Sequence, residues 1–104
     1  MSAEKQYIAK QIKWQEQTLL NICDEELLGT TVKGGSVDMH ISRDYFGCDK
    51  VNEAVALDMV KNSSIVNLAG SRIVDRVLEN NLATERAVKR VGSVAFLMIY
   101  KFSH

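Results

Sequence analysis

The stretch from Ser63 to Asn81 does most to limit what this chain can fold into. Ile65/Val66, Ala69/Gly70, Ile73/Val74 and Val77/Leu78 recur four residues apart, the spacing that builds one broad stripe on a helix. Asn67, Ser71, Arg72, Asp75, Arg76 and Glu79 fall largely on the other side. Ser63 or Ser64 suits an N-cap, and Asn80-Asn81 supplies a residue that tolerates the left-handed end of a helix. The spacing predicts the longest helix over 64–81, with the core packed on its stripe. Gly70 costs that helix stability relative to alanine, which points to close approach of a strand or another helix. In mid-helix it is not a phosphate loop.

The flanking segments complete an α+β pattern. Gln6 to Lys13 alternates loosely, turns at Trp14-Gln15-Glu16-Gln17 and returns through the apolar run Thr18 to Cys23, which predicts an N-terminal β-hairpin. Residues 1–5 are expected to fray. Asp24-Glu25-Glu26-Leu27-Leu28-Gly29 reads as a short helix capped by Asp24 and ended by Gly29. Lys33-Gly34-Gly35 is a turn, and Ser36 to Ser42 alternates as a half-buried strand with His40 on its wet face. Arg43 to Lys50 is a loop holding two aromatics. Helix formers from Val51 to Lys61 give a second helix, about 50–61, started by Asp49. Val88 to Val91, a Gly92-Ser93 turn and the continuous apolar run Val94 to Phe102 predict a C-terminal hairpin. The expected architecture is one domain, 1–104, with helices packed on one mostly antiparallel sheet.

Charge is balanced at 13 basic and 13 acidic side chains, so no global field draws the chain to nucleic acid or an anionic membrane. The distribution is uneven, because residues 72–104 hold six basic and three acidic groups. No segment has the apolar length of a membrane span, and Met-Ser-Ala-Glu-Lys-Gln is not a signal peptide. A cytoplasmic protein is expected. Cys23 and Cys48 show no Cys-x-x-Cys spacing and no neighbouring histidine, so no zinc site is read. Cys23 in its apolar run reads as a small buried hydrophobe; a disulfide with Cys48 requires an oxidising compartment or a thermophilic host.

Four blocks stand in order: Cys23-Asp24-Glu25-Glu26-Leu27-Leu28-Gly29, Asp44-Tyr45-Phe46-Gly47, Asn67-Leu68-Ala69-Gly70-Ser71-Arg72-Ile73-Val74 and Val91-Gly92-Ser93-Val94. Together they resemble the small archaeal proteins grouped as domain of unknown function 424, from about Tyr7 to about Val94. The resemblance implies an archaeal cytoplasmic α+β protein. It brings no activity with it, only an expected association with translation. The chain departs from that pattern at Cys48, where a second glycine is expected, and at Ala95-Phe96, where Pro-His is expected. A site built on that histidine is absent or rebuilt here.

The candidate binding residues are Asn67, Ser71, Arg72 and Arg76 on the polar side of the 64–81 helix, Arg86 and Arg90 beyond it, and Tyr45-Phe46 in the loop. Arginines meet phosphate and exposed aromatics stack on bases, although the bland readings are solvated helix surface and a covered core edge. Asn67 and Arg72 stand about 140° apart on a helix, whereas Asn67 with Ser71 and Arg72 with Arg76 share a side. Trp14 is a further partner-contact candidate. Asp24, Glu25 and Glu26 offer oxygen ligands for Mg²⁺ or Ca²⁺, against a bland reading as cap and dipole complement. His40 beside Asp38 lacks a nucleophile, so no catalytic set forms. The expected function is a non-enzymatic binding module without a cofactor, contacting RNA, ribonucleoprotein or a protein of the translation apparatus. A homodimer built on the Val94 to Phe102 strand fits either function. The alternative is a metal-dependent enzyme or small-ligand protein using Asp24-Glu25-Glu26.

Overall fold

The computed structural model describes residues 6–47 and 49–101. The fraying expected of 1–5, the pairing of Cys23 with Cys48 and the last residue of the apolar run, Phe102, lie outside the described residues. β1 (Gln6–Trp14) and β2 (Gln17–Asp24) form the expected hairpin, turning through Gln15 at a φ of 56°. A 3-10 turn at Glu25–Leu27 replaces the short helix. β3 (Thr31–Gly34) and β4 (Val37–His40) make a separate two-stranded sheet around a Gly35-Ser36 turn, so Lys33 and Gly34, expected in the turn, belong instead to a strand not read from the sequence. α1 (Arg43–Phe46) is a single turn capped by the Ser42 hydroxyl, within the segment expected as a loop.

The chain then returns to the main sheet. β5 (Asp49–Asn52) pairs with β1, so the next helix starts later than expected: the Asn52 side chain, not Asp49, caps α2 (Glu53–Lys61). β6 (Ile65–Ala69) runs parallel to β2, and α3 (Ser71–Glu79) follows directly. After a 3-10 turn at Glu85–Ala87, β7 (Lys89–Val91) and β8 (Val94–Tyr100) close the C-terminal hairpin. The six-stranded sheet runs β5-β1-β2-β6-β8-β7, antiparallel except for β2 with β6. The α+β class with helices on a mostly antiparallel sheet is therefore as expected. Among the described residues, no helix is long and apolar enough to cross a membrane.

The 64–81 helix is the main correction. Its first part is β6, whose alternation sends Val66 and Leu68 to one face of the sheet and Ile65, Asn67 and Ala69 to the other. Apolar side chains on both faces of this strand, Ile65 and Ala69 on one and Val66 and Leu68 on the other, leave the Ile65/Val66 and Ala69 recurrence that also marks a helical stripe. Gly70 divides strand from helix at a φ of +126°, so it stands at a helix start and not within one. The serines do not cap it. Ser63 Oγ donates to the Met59 carbonyl at 2.7 Å at the end of α2, and Ser64 Oγ accepts the Thr18 N–H. Asn81, at a φ of 59°, ends α3 in the left-handed conformation as expected.

The two faces of the sheet differ. Tyr7, Leu20, Ile22, Val66, Ala95 and Leu97 meet Val60, Ile73, Val74 and Val77 in the larger core beneath α2 and α3. On the opposite face Ile8, Cys23 and Ala69 pack against Val32, Ile41 and Phe46 of the β3–β4 unit and α1. That cover spans only part of the face. The next cross-strand rows, Lys10–Asn21–Asn67–Met98 and Ile12–Leu19–Ile65–Tyr100, run out from under it, and Met98 and Tyr100 are about half exposed. The β4 residues Val37 and Met39 are exposed too, where a half-buried strand was expected.

Candidate functional site

Two features of the open face meet in one place. α1 is held by the Ser42 cap and by Phe46, which is buried in the smaller core. Phe46 thus packs in the smaller core and also borders the cleft. Its neighbour Tyr45 stands edge-on to it, ring centroids 5.0 Å apart, and is 48% exposed. The Tyr45 hydroxyl accepts a hydrogen bond from Asn67 Nδ2 at 3.1 Å. The same Nδ2 donates to Asn21 Oδ1 at 2.8 Å, and Asn21 Nδ2 donates to the Tyr45 carbonyl at 3.0 Å. Asn21 is 1% exposed, so both halves of its amide are matched as burial demands.

Beside this network lies a cleft of about 510 Å³, within the usual range for ligand pockets. Tyr45, Asn67, Phe96 and Met98 form one side, and Met39 and His40 come from the end of β4 with Ile41 just after it. Ala87 and Lys89 complete it. The lining is mainly apolar, with an amide, a phenol, an imidazole and an ammonium as its polar groups. His40 Nδ1 stands 3.0 Å from Thr31 Oγ1, while Asp38 pairs with Lys33 and not with His40.

The remaining candidates do not join this site. Asn67 projects from a strand on the face opposite α3, so it shares no polar helix face with Ser71, Arg72 and Arg76. Ser71 Oγ is taken up by the β7–β8 turn, donating to the Ser93 carbonyl and accepting from Ala95 N–H. Arg72 chelates Glu26 through Nε and Nη2, donates to the Gln6 carbonyl and lies 4.8 Å over the Tyr7 ring. The Glu26 hydrogen bonds raise its pKa most of all, helped by the charges of Asp24, Glu26 and Tyr7 and opposed by burial. Arg76 pairs with Glu79 and Arg90 with Glu85, while Arg86 sits in the turn just before Ala87. Trp14 is exposed at the far end of the β1–β2 hairpin.

The acidic cluster is dispersed among separate partners. Asp24 does not cap its own turn; its two oxygens accept the N–H groups of Arg72 and Ile73 at 3.0 and 2.9 Å and so cap α3. Burial pushes the Asp24 carboxyl above its usual range, against those two hydrogen bonds and the Arg72 charge, which pull it down. Glu25 pairs with Lys50 and Glu26 with Arg72. The three carboxylates expected as alternative metal ligands therefore do not converge, and no group of three or more potential ligands forms among the described residues. Sequence reasoning missed Asn21, Met39, Lys89, Phe96 and Met98. Asn21 carried a readable signal, a polar side chain interrupting the apolar strand Leu19 to Cys23.

Fold and site together define a mixed α+β protein with one helix-covered sheet face and one half-open face that carries an apolar, amide-marked cleft. The chain belongs to the family described as "Protein of unknown function (DUF424)", whose model matches residues 12–102. It is similar to a solved structure described as an uncharacterized conserved protein from Methanopyrus kandleri, at 20% identity over 95% of this chain and 94% of that one. The TM-score is 0.76, and at that identity the likeness establishes the fold alone. Among curated proteins none matches.

Proposed function

We propose that the protein is a cytoplasmic archaeal binding module that takes single-stranded RNA on the open face of its sheet and works with translation or ribosome components. The observation that carries this reading is the contact between Tyr45 and Asn67 on the wall of the cleft. It sets a half-exposed aromatic ring and an oriented amide beside apolar walls, the furnishing on which unpaired bases stack. Lys89 lines the cleft and Arg86 is the chain neighbour of the lining residue Ala87, and neither makes an ion pair among the described residues. Unpaired cations on this segment suit the phosphates that link such bases. The link to translation rests on the family resemblance. The acidic cluster gives no support to a metal-dependent alternative, since each carboxylate is already engaged.

Fluorescence anisotropy with a labelled single-stranded RNA of about 12 nucleotides tests the reading. The expected result is saturable binding that weakens log-linearly as salt rises, and weaker binding of a duplex of the same sequence. Tyr45→Ala is expected to weaken it about tenfold or more. A flat titration at low salt overturns the proposal.

A further inference from the structure

The amide network fixes more than the position of Asn67. Asn21 Nδ2 is committed to the Tyr45 carbonyl, so Asn21 must present its oxygen to Asn67. Asn67 must answer with its nitrogen, and a flipped amide would set oxygen against oxygen. The same nitrogen donates to the Tyr45 hydroxyl. Two valences are then left over. Asn67 Oδ1 accepts no hydrogen bond, and the Tyr45 phenolic proton has no acceptor, among the described residues. Both residues line the cleft, so a committed acceptor and a committed donor stand side by side against apolar walls.

We infer that the cleft takes an unpaired nucleobase by its Watson–Crick edge, with a ring N–H or exocyclic amine donating to Asn67 Oδ1 and the neighbouring carbonyl or ring nitrogen accepting from the Tyr45 hydroxyl. This deepens the RNA reading above and rests on it. Every base carries such an adjacent donor and acceptor on that edge, so the pair selects for an unpaired base more than for one base over another. A trans peptide bond points its N–H and C=O in opposite directions and cannot satisfy both groups together. The Met98 thioether, on the same row as Asn67, and the Phe96 ring supply the soft apolar surface that a flat heterocycle prefers.

The experiment compares a short oligouridine with the same oligomer carrying N3-methyluridine, which keeps the phosphates, the ring and its neutrality but blocks the edge. Unmodified oligouridine is expected to bind about tenfold more tightly than the methylated one. Tyr45→Phe is expected to remove much of that difference by weakening only the unmodified oligomer. Equal affinity for the two oligomers overturns the edge inference while leaving RNA binding in place. Failure of both to bind overturns the RNA reading itself. Circular dichroism and the unfolding midpoint of Tyr45→Phe confirm that the variant is folded, and a wild-type-like discrimination in that folded variant overturns the role given to the phenol.

Discussion

Asp24 and Gly70 approach each other closely where β6 gives way to α3. A Cβ added at Gly70 would stand 2.3 Å from Asp24 Cγ, and its φ of +126° is strained for any L side chain. Gly70→Ala is therefore expected to destabilise by roughly 3 kcal/mol or more, combining backbone strain with the collision. Asp24→Ala removes the α3 cap and strands two N–H groups, an expected loss of about 1–3 kcal/mol. In the double variant the collision is gone while the φ strain stays. Urea midpoints should give a combined cost about 1–2 kcal/mol below the sum, and strict additivity would show that the carboxylate does not occupy that space. Cys23 gives a second test at this scale. It is fully buried, and burial pushes its thiol up to about 12. In a Cys48→Ser background, Ellman's reagent at pH 8 is expected to find no reactive thiol until the chain is unfolded; prompt labelling of the native protein would contradict the packing.

The β6–Gly70–α3 unit joins the two faces of the molecule, and it is also where sequence and structure part. The N- and C-terminal hairpins were legible because alternation and turns are local, and Gly92-Ser93 turns as read; the middle turn falls at Gly35-Ser36 because Lys33 and Gly34 pair within β3, a strand the sequence did not signal. The class of fold followed from them. For residues 65–69 the local signal is ambiguous, since a strand buried on both faces and a helical stripe share the same spacing. The deciding contacts come from β2, including the Asp24 cap 48 residues earlier in the chain. The site was half legible for the same reason. Tyr45 and Asn67 were named for separate reasons, but their contact spans 22 residues, and Asn21 becomes informative only when β2 lies beside β6. Hydrogen exchange tests this element directly. First-turn amides of a helix ordinarily lack acceptors, whereas those of Arg72 and Ile73 are bonded to Asp24. They are expected to be protected in the native protein and to exchange rapidly in Asp24→Ala, with β6 amides still protected. Fast exchange at both positions in the native chain would argue against the cap.

Across the whole molecule, the basic C-terminal third does not act as one patch, because the sheet sorts its charges by face. Arg90 lies opposite Ala95, which is in the core beneath the helices, and Arg76 is on α3. Arg72 is spent on Glu26 and Tyr7. Lys89 lies opposite Phe96 on the open face, and Arg86 shares the Glu85–Ala87 turn with Ala87, which lines the cleft. A net excess of charge therefore says little here, while its side of the sheet says much. If phosphates follow the cleft, neutralising a contacting cation should lower the salt dependence of RNA binding by about one phosphate contact. Lys89→Gln and Arg86→Gln are each expected to reduce the slope of log affinity against log salt by about that amount. Arg76→Gln, on the far face and paired with Glu79, is expected to leave the slope unchanged. Equal losses for all three would mean that RNA responds to overall charge rather than to this face, and a loss confined to Arg76→Gln would move the binding surface to α3.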